Sequence, residues 1–410
     1  MIILLLISGS YSCVSHAQQR DLEYFLQQGK ANSPLQNDYQ NQVRALGLDS
    51  QRLDDAYGPQ VAATGNVMYA PVARGWGYDP AITNGQNIGA LMVVSKEIIG
   101  KNNLQTRLHD FTLQQKAIGN QSKLSEQTLA QSITQQYILC YGDQQQLALS
   151  AEIYSLLQNE DAVLKKLTQA AVFKQTEYLT FKVALQQQEL SREQARAQLG
   201  SDLAALNYIC GIEDSALPRI APPDISQAEV TPFAQSIYAD RFETDSLKNA
   251  NDGKIINLNY KPRVSVFADG GYLSALPQDA YKNLGMSVGL SFSLPVYDGK
   301  QRKAALLQRK MAEDSRKKYL DFYKHQYNQQ IMQLQQQLRQ YQHLMETARQ
   351  QLLYAGTLVD ANKRQLNTGD VRMTDYLLSV SNFLNLRASL IQSDVMRLSL
   401  INQLNYLILK

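Results

Sequence analysis

Residues 283 to 294, Asn-Leu-Gly-Met-Ser-Val-Gly-Leu-Ser-Phe-Ser-Leu, alternate without an exception. Leu284, Met286, Val288, Leu290, Phe292 and Leu294 are large and apolar, while Asn283, Gly285, Ser287, Gly289, Ser291 and Ser293 are small or polar. Successive side chains of a strand point to opposite faces, so a period of two gathers every large apolar group on one face. In a water-soluble sandwich that face would meet a second sheet. In a transmembrane barrel it would meet lipid, with the small polar face lining a wet lumen, and a membrane strand needs roughly 9 to 11 residues. The segment is long enough for either, and the rest of the chain has to decide.

A chain of 410 residues would ordinarily hold two or three globular domains. The prolines argue otherwise. None of the eleven falls between Ala81 and Leu217, and none between Val296 and Lys410, so two very long stretches lack an obligatory helix breaker. A net charge of +3 with 19% charged residues, and no basic run with interleaved aromatics, speaks against a nucleic-acid-binding surface and against a disordered tail. Much of the polarity comes from glutamine.

The amino terminus has a short apolar core followed by Ser15-His16-Ala17, a small-x-small cleavage pattern that predicts a signal peptide over 1–17, a mature chain from Gln18, and export. No lysine or arginine precedes that core, which departs from a normal signal peptide and suggests a start codon other than Met1. A buried first strand is the bland alternative. Lipidation at Cys13 is weaker still, because Ser10-Tyr11-Ser12 lacks the leucine expected there. No apolar run reaches the roughly 20 residues of a transmembrane helix, so if the chain enters a membrane, it enters as strands.

The sequence describes itself twice. Tyr57-Gly58-Pro59 followed by Val61, Ala63, Gly65, Val67 and Tyr69 matches Tyr260-Lys261-Pro262 followed by Val264, Val266, Ala268, Gly270 and Tyr272. The strand after the first of these runs from Asn87 to Ser95, with Ile88, Ala90, Met92 and Val94 on one face; it corresponds to the strand at Leu284. The loops inside the pairs, 75–85 and 276–282, are turn-rich and carry Trp76, Tyr78 and Tyr281 where interfacial aromatics belong. Four strands cannot close a barrel, and an open edge is not tolerated in hydrocarbon, so several chains would have to share one barrel.

Each strand pair is followed by a glycine, Gly100 or Gly299, and then by helix. From Lys300 to Leu366 only Gly356 weakens a helix that would run about 100 Å at 1.5 Å per residue. A second helix follows, with Leu377, Val380, Leu384, Ala388, Ile391, Val395, Leu398, Ile401 and Leu404 at coiled-coil spacing, so the two should pack as a hairpin. The first half repeats the design, from Lys101 to about Ala171 and back to about Cys210. Cys140 and Cys210 each lie 35 residues from Gln175, so a turn there sets them at similar heights. A disulfide is geometrically possible; two unbridged core cysteines are the other reading. The organisation expected is therefore an amino-terminal helical segment over 18–56, strand pairs over 57–97 and 260–295, long helical hairpins over 98–212 and 296–410, and a packed connector over 213–259 holding Ile220, Ile225, Phe233, Ile237 and Phe242.

Four local patterns together resemble the TolC family of outer-membrane efflux proteins: Asn32-Ser33-Pro34-Leu35, Pro262 opening an alternating strand, Ser293-Leu294-Pro295-Val296-Tyr297-Asp298-Gly299 leading into the long helix, and Gln365-Leu366-Asn367-Thr368-Gly369 six residues before Asp375. Their order, spacing and duplication carry the resemblance over essentially the whole mature chain. It implies a mixed α and β membrane protein. Three copies would share a 12-stranded transmembrane β-barrel, four strands per chain, continued by a long periplasmic α-helical coiled-coil barrel. It further implies a Gram-negative outer membrane, a periplasmic adaptor (membrane fusion protein) and an inner-membrane transporter docked at the far end, and passive conduction in a tripartite efflux or type I secretion system. Leu284, Met286, Val288, Leu290 and Phe292 would face outer-membrane lipid. Asp375 would form the periplasmic constriction, near the helical tips at Gln175, Gly369, Asp370 and Arg372. Gln175 stands where the first repeat's tip glycine is expected, Phe181 where a duplicate of Asp375 is expected, and Leu378 replaces a second acidic residue.

Catalysis finds little support. His109, His325 and His343 are scattered without Cys or carboxylate partners at ligand spacing, and no nucleophile elbow, phosphate loop or zinc motif occurs, so no enzyme, cofactor or metal is expected. The competing reading is a periplasmic coiled-coil adaptor or scaffold protein. Its β-domains would bury their apolar faces in small soluble cores, whereas these strands come in duplicated pairs with small and polar opposite faces.

Overall fold

A computed structural model of the chain describes residues 20–79, 81, 85–214, 218–275 and 280–408, with the side chains of 280 and 281 left out. The expected signal peptide with Cys13, most of the 276–282 loop, and the Tyr281 side chain lie outside the described residues. The elements run α1 (Leu22–Asn32), α2 (Pro34–Ala56), β1 (Gln60–Tyr69), β2 (Gln86–Ile98), α3 (Lys101–Gln169), α4 (Gln175–Cys210), α5 (Ile237–Leu258), β3 (Arg263–Ser274), β4 (Leu284–Ser293), α6 (Gln301–Thr368) and α7 (Met373–Leu407). No helix among the described residues is long and apolar enough to cross a membrane.

The chain divides into two compact units. One comprises 37–122 and 237–323 and holds the four strands; the other comprises 1–36, 123–236 and 324–410 and holds both helical turns. In the strand-bearing unit the sheet order is β1-β2-β3-β4, antiparallel throughout. The two expected strand pairs are thus joined by β2 against β3, paired from Ile88↔Ser274 to Ile98↔Val264. Polar side chains fix α5 here: Asn251 donates to the Thr106 carbonyl at 3.2 Å, Asn249 to the Arg309 carbonyl at 3.0 Å, and Asn120 to Thr244 at 3.2 Å. Between Cys210 and β3, Ile220, Phe233 and Ile237 are buried, while Ile225 and Phe242 are half-buried. That α5 is a 22-residue helix was not expected.

The other unit has two apolar cores. In one, Leu149, Ile153, Leu157 and Leu164 of α3 and Phe181 and Leu185 of α4 pack with Val359 and Leu366 of α6 and Tyr376 and Val380 of α7. Leu377, Leu384, Ala388 and Ile391 flank it, which is the seam read from the heptads. The second core gathers Phe25, Ile133, Tyr137, Cys140, Leu203, Leu206, Cys210 and Ile220. Tyr137 ties α3 to two strand-like segments by donating to the Ala221 carbonyl at 2.7 Å and the Arg20 carbonyl at 3.2 Å. Cys140 and Cys210 share this core, both buried and both free, so the bridge that spacing allowed is not formed. Burial pushes the Cys210 thiol up to about 11 and, with Asp202 and Asp143 nearby, the Cys140 thiol to about 12, far from the thiolate form that exchange chemistry needs.

Beside Cys140, Asp143 of α3 meets Asp202 of α4. Burial and its bond to Asp202 push the Asp143 carboxyl from 3.8 up to about 7. Burial also opposes charge on Asp202, but bonds from Asp143, Gln198 and Gln136 outweigh it and hold that carboxyl below its ordinary value. A carboxyl whose folded pKa is raised favours the fold while protonated, so its contribution is complete below about 4 and lost as pH rises through about 7. Asp143→Asn should therefore gain stability relative to wild type at pH 8 but not at pH 4, by on the order of 1 kcal/mol after allowing for solvent screening. Denaturant midpoints at the two pH values check this; an equal effect at both would exclude titration of Asp143 as the cause.

Candidate channel wall and helical tips

Residues directly opposite across paired strands share a face. One such row crosses the whole sheet as Val61, Val94, Ala268 and Val288, and others run Ala63, Met92, Gly270, Met286 and Ile98, Val264, Phe292. Every strand face read as apolar in the sequence therefore lies on the same side of one sheet. Protein leaves that side largely uncovered: Met286 is 89% exposed, Val288 78%, Leu290 74%, and Leu284 and Phe292 67% each. Trp76 and Tyr78 are exposed in the loop between β1 and β2.

The opposite side is polar in β4, with Ser287, Ser291 and Ser293, and Ser287 donates to Asp269 at 2.6 Å. It is mixed in β2 and β3, where Leu91, Val93 and Phe267 fall on it, so only β4 alternates cleanly. Phe267 stands opposite Gly289 and lays its ring over it; a Cβ on Gly289 would come within 2.3 Å of the ring. β1 and β4 are the edges of the sheet, and each leaves one row of backbone donors and acceptors without a strand partner among the described residues.

The helical turns are built alike. At the second, Gly369 takes φ 80°, its N–H donates to the Leu366 carbonyl and that of Asp370 to the Gln365 carbonyl, and α7 begins after Arg372. At the first, Ala171 takes φ 61°, its N–H donates to the Thr168 carbonyl and that of Val172 to the Leu167 carbonyl, and α4 begins after Lys174. By position in the turn the counterpart of Gly369 is thus Ala171, and the counterpart of Asp375, third residue of its helix, is Glu177. This corrects two expectations. Gln175 is the first residue of α4 and not the turn residue, and Phe181 is a fully buried core residue one turn beyond the acidic position. The sequence reading looked for a glycine, while the chain tolerates alanine in the left-handed region at a modest steric cost.

The acidic residues differ in their bonds. Glu177 accepts from the Lys174 N–H at 3.0 Å, capping α4, and Asp370 accepts from the Thr368 hydroxyl at 2.6 Å. Asp375 is exposed, and its carboxylate makes no hydrogen bond or ion pair among the described residues. Arg372 and Leu378 are exposed as well. Under these residues Glu160 is almost fully buried and pairs with Lys363 at 2.8 Å. No group of three potential metal ligands occurs among the described residues.

No family model and no curated protein matches the sequence. Solved structures do match the fold. CusC, described for its folding and transmembrane channel formation, has a TM-score of 0.79 at 11% identity, covering 95% of this chain and 92% of its own. The outer-membrane protein VceC of Vibrio cholerae has a TM-score of 0.77 at 12% identity, covering 94% and 95%. The MtrE outer-membrane channel of Neisseria gonorrhoeae, in its open state, has a TM-score of 0.76 at 9% identity, covering 94% and 88%. At these identities the likeness is one of fold. The chain has the fold of TolC-type outer-membrane channels, the family its sequence motifs resemble.

Proposed function

We propose that this chain is one protomer of an outer-membrane exit channel. Three copies contribute four strands each to one 12-stranded barrel, and the helical hairpins continue it as a periplasmic tunnel. A periplasmic adaptor and an inner-membrane transporter dock at the far end and load the channel, in a tripartite efflux or type I secretion system. The observation that carries this reading is the four-stranded sheet, which gathers the large apolar residues of β4 and the rows paired with them on one exposed face while β1 and β4 are its edges. A soluble adaptor would bury such a face. Lipid and neighbouring strands satisfy both features at once.

The segments then take the roles expected of them: 57–97 and 260–295 as barrel strands, 98–212 and 296–410 as tunnel hairpins, and 213–259 as the equatorial connector with α5. Transport needs no chemistry from this chain, and cargo selection belongs to the transporter. Fractionation tests the reading, with heat-modifiable trimers expected in outer-membrane extracts; the protein in the soluble periplasmic fraction would refute it.

At the periplasmic mouth, threefold symmetry brings three copies of Asp375 to one constriction as a carboxylate ring that attracts cations. The unbonded Asp375 carboxylate supports this over a role in helix capping, which at the first turn falls to Glu177. In planar-bilayer recordings Asp375→Ala should lower the cation-to-anion permeability ratio by roughly twofold or more, because charges in a narrow pore are poorly screened. Asp370→Ala, whose carboxylate is held by Thr368, should change it little. Unchanged selectivity in a correctly assembled Asp375→Ala channel would remove the ring.

A further inference from the structure

We infer that the helix-side rim of the apolar face is a binding surface for the anionic headgroups of glycerophospholipids. The inference rests on the barrel reading and adds a lipid specificity to it. The register places the last apolar row at Ile98, Val264 and Phe292. Lys96 lies one row inside it on the same face, and just beyond it the chain carries Lys101, Lys300, Arg302 and Lys303, all exposed. Lys96 shares the apolar face, paired across from Val266, where a long side chain can run its methylenes along lipid and hold its ammonium at the headgroups. Arg302 spans Tyr260, with its guanidinium 5.5 Å from the ring centroid, and bonds Asn257. The four lysines make no ion pair or side-chain hydrogen bond among the described residues.

Asp54 and Asp55 at the end of α2, Glu97 and Asp298 also lie near this level, and they are fewer than the cations. Glu97 alternates onto the other face of β2. Asp298 is spent on the start of α6, accepting from the Arg302 N–H at 2.7 Å and the Lys300 N–H at 2.9 Å, bonds that hold its carboxyl below the ordinary range. At the opposite end of the sheet the described loop residues carry Arg74 and Lys282 against Asp79, a smaller set of charges. The apolar face is thus bordered by its largest group of cations at its helix end, and three chains would close that border into a ring. Apolar surface running directly into unpaired cations matches a lipid with acyl chains and an anionic headgroup.

The test uses full-length protein reconstituted in phosphatidylcholine vesicles with trace spin-labelled phosphatidylglycerol or spin-labelled phosphatidylcholine, measuring the label immobilised at the protein surface. Wild type should hold phosphatidylglycerol over phosphatidylcholine by roughly three- to tenfold, given the attraction of each Lys or Arg near an anionic surface. Lys96→Gln/Lys300→Gln/Lys303→Gln should bring the ratio close to one. Arg263→Gln, at the same level but on the small-residue face, should leave it unchanged. If the triple variant does not insert, the three single variants should each lose part of the preference. Equal binding of both lipids by wild type, or a preference untouched by the lysine variants, overturns the inference and leaves the barrel reading standing. Loss of the preference in inorganic phosphate but not in chloride at the same ionic strength would mark a free-phosphate site and overturn it too. Failure of wild type to insert at all would overturn both readings.

Discussion

Val288→Arg should sharply reduce the yield of membrane-inserted protein, whereas Ser291→Arg should assemble nearly as well as wild type. Val288 lies in the row with Val61, Val94 and Ala268 and is 78% exposed, so in a barrel its side chain contacts lipid. Arginine on the lipid face near the midplane costs about 2 to 4 kcal/mol, and an assembly of three chains bears that cost three times. Ser291 lies three residues further along β4, paired with Ser265 on the small-residue face, where added charge is hydrated. Gly289 is a poor control on that face, because any side chain there must displace the Phe267 ring. Heat-modifiability on gels after outer-membrane extraction reads the yield, and equal tolerance at the two positions would mean that the alternation does not report membrane facing.

The second large effect is expected at Gly271. Its φ of 156° is one that L side chains rarely adopt, and a Cβ there would stand 2.2 Å from the Ala90 carbonyl oxygen and 3.0 Å from the Leu91 Cα. Both obstacles are backbone of β2, so the strand pair that joins the two halves of the sheet would have to part. The conformation alone costs on the order of 1 to 3 kcal/mol, and the clash adds to it. Gly285 pairs directly with Gly271 on β4, yet a Cβ there meets nothing within 4 Å. Gly271→Ala should lower the temperature at which the assembled protein dissociates on heating, while Gly285→Ala should not. A Gly271→Ala protein as heat-stable as wild type would show that β2 and β3 are not held at this spacing.

What the sequence revealed, and what it hid, follows from the range of the forces involved. Strand faces and long helices were legible because they are written in periodicity, and β4 above all because nothing interrupts its alternation. α5 was not. Ser246, Asn249, Asn251, Asp252 and Gly253 are poor helix formers, and they read locally as a loop. Contacts distant in sequence override that preference, since Asn249 and Asn251 are tied to carbonyls of α6 and α3. The first helical turn was misaligned by four residues for the converse reason: a local rule, glycine at the left-handed position, was trusted where Ala171 takes that conformation instead. The sequence places Asp375 near the start of the returning helix, where it is the third residue, but gives no sign of its counterpart Glu177 because the turn is misaligned. The cysteines show what spacing leaves out. Equal distances from a turn bring Cys140 and Cys210 into one core, but they do not orient the two sulfurs for a bond.

The central claim is that this chain cannot complete its own membrane-spanning structure. With β1 and β4 both unpaired along one side, an inserted monomer would leave backbone donors and acceptors bare in hydrocarbon, each at a cost of several kcal/mol. Mass measurement of the protein extracted from membranes in mild detergent tests this directly. The account predicts three copies of the mature chain per particle, and a well-folded, membrane-inserted monomer would contradict it.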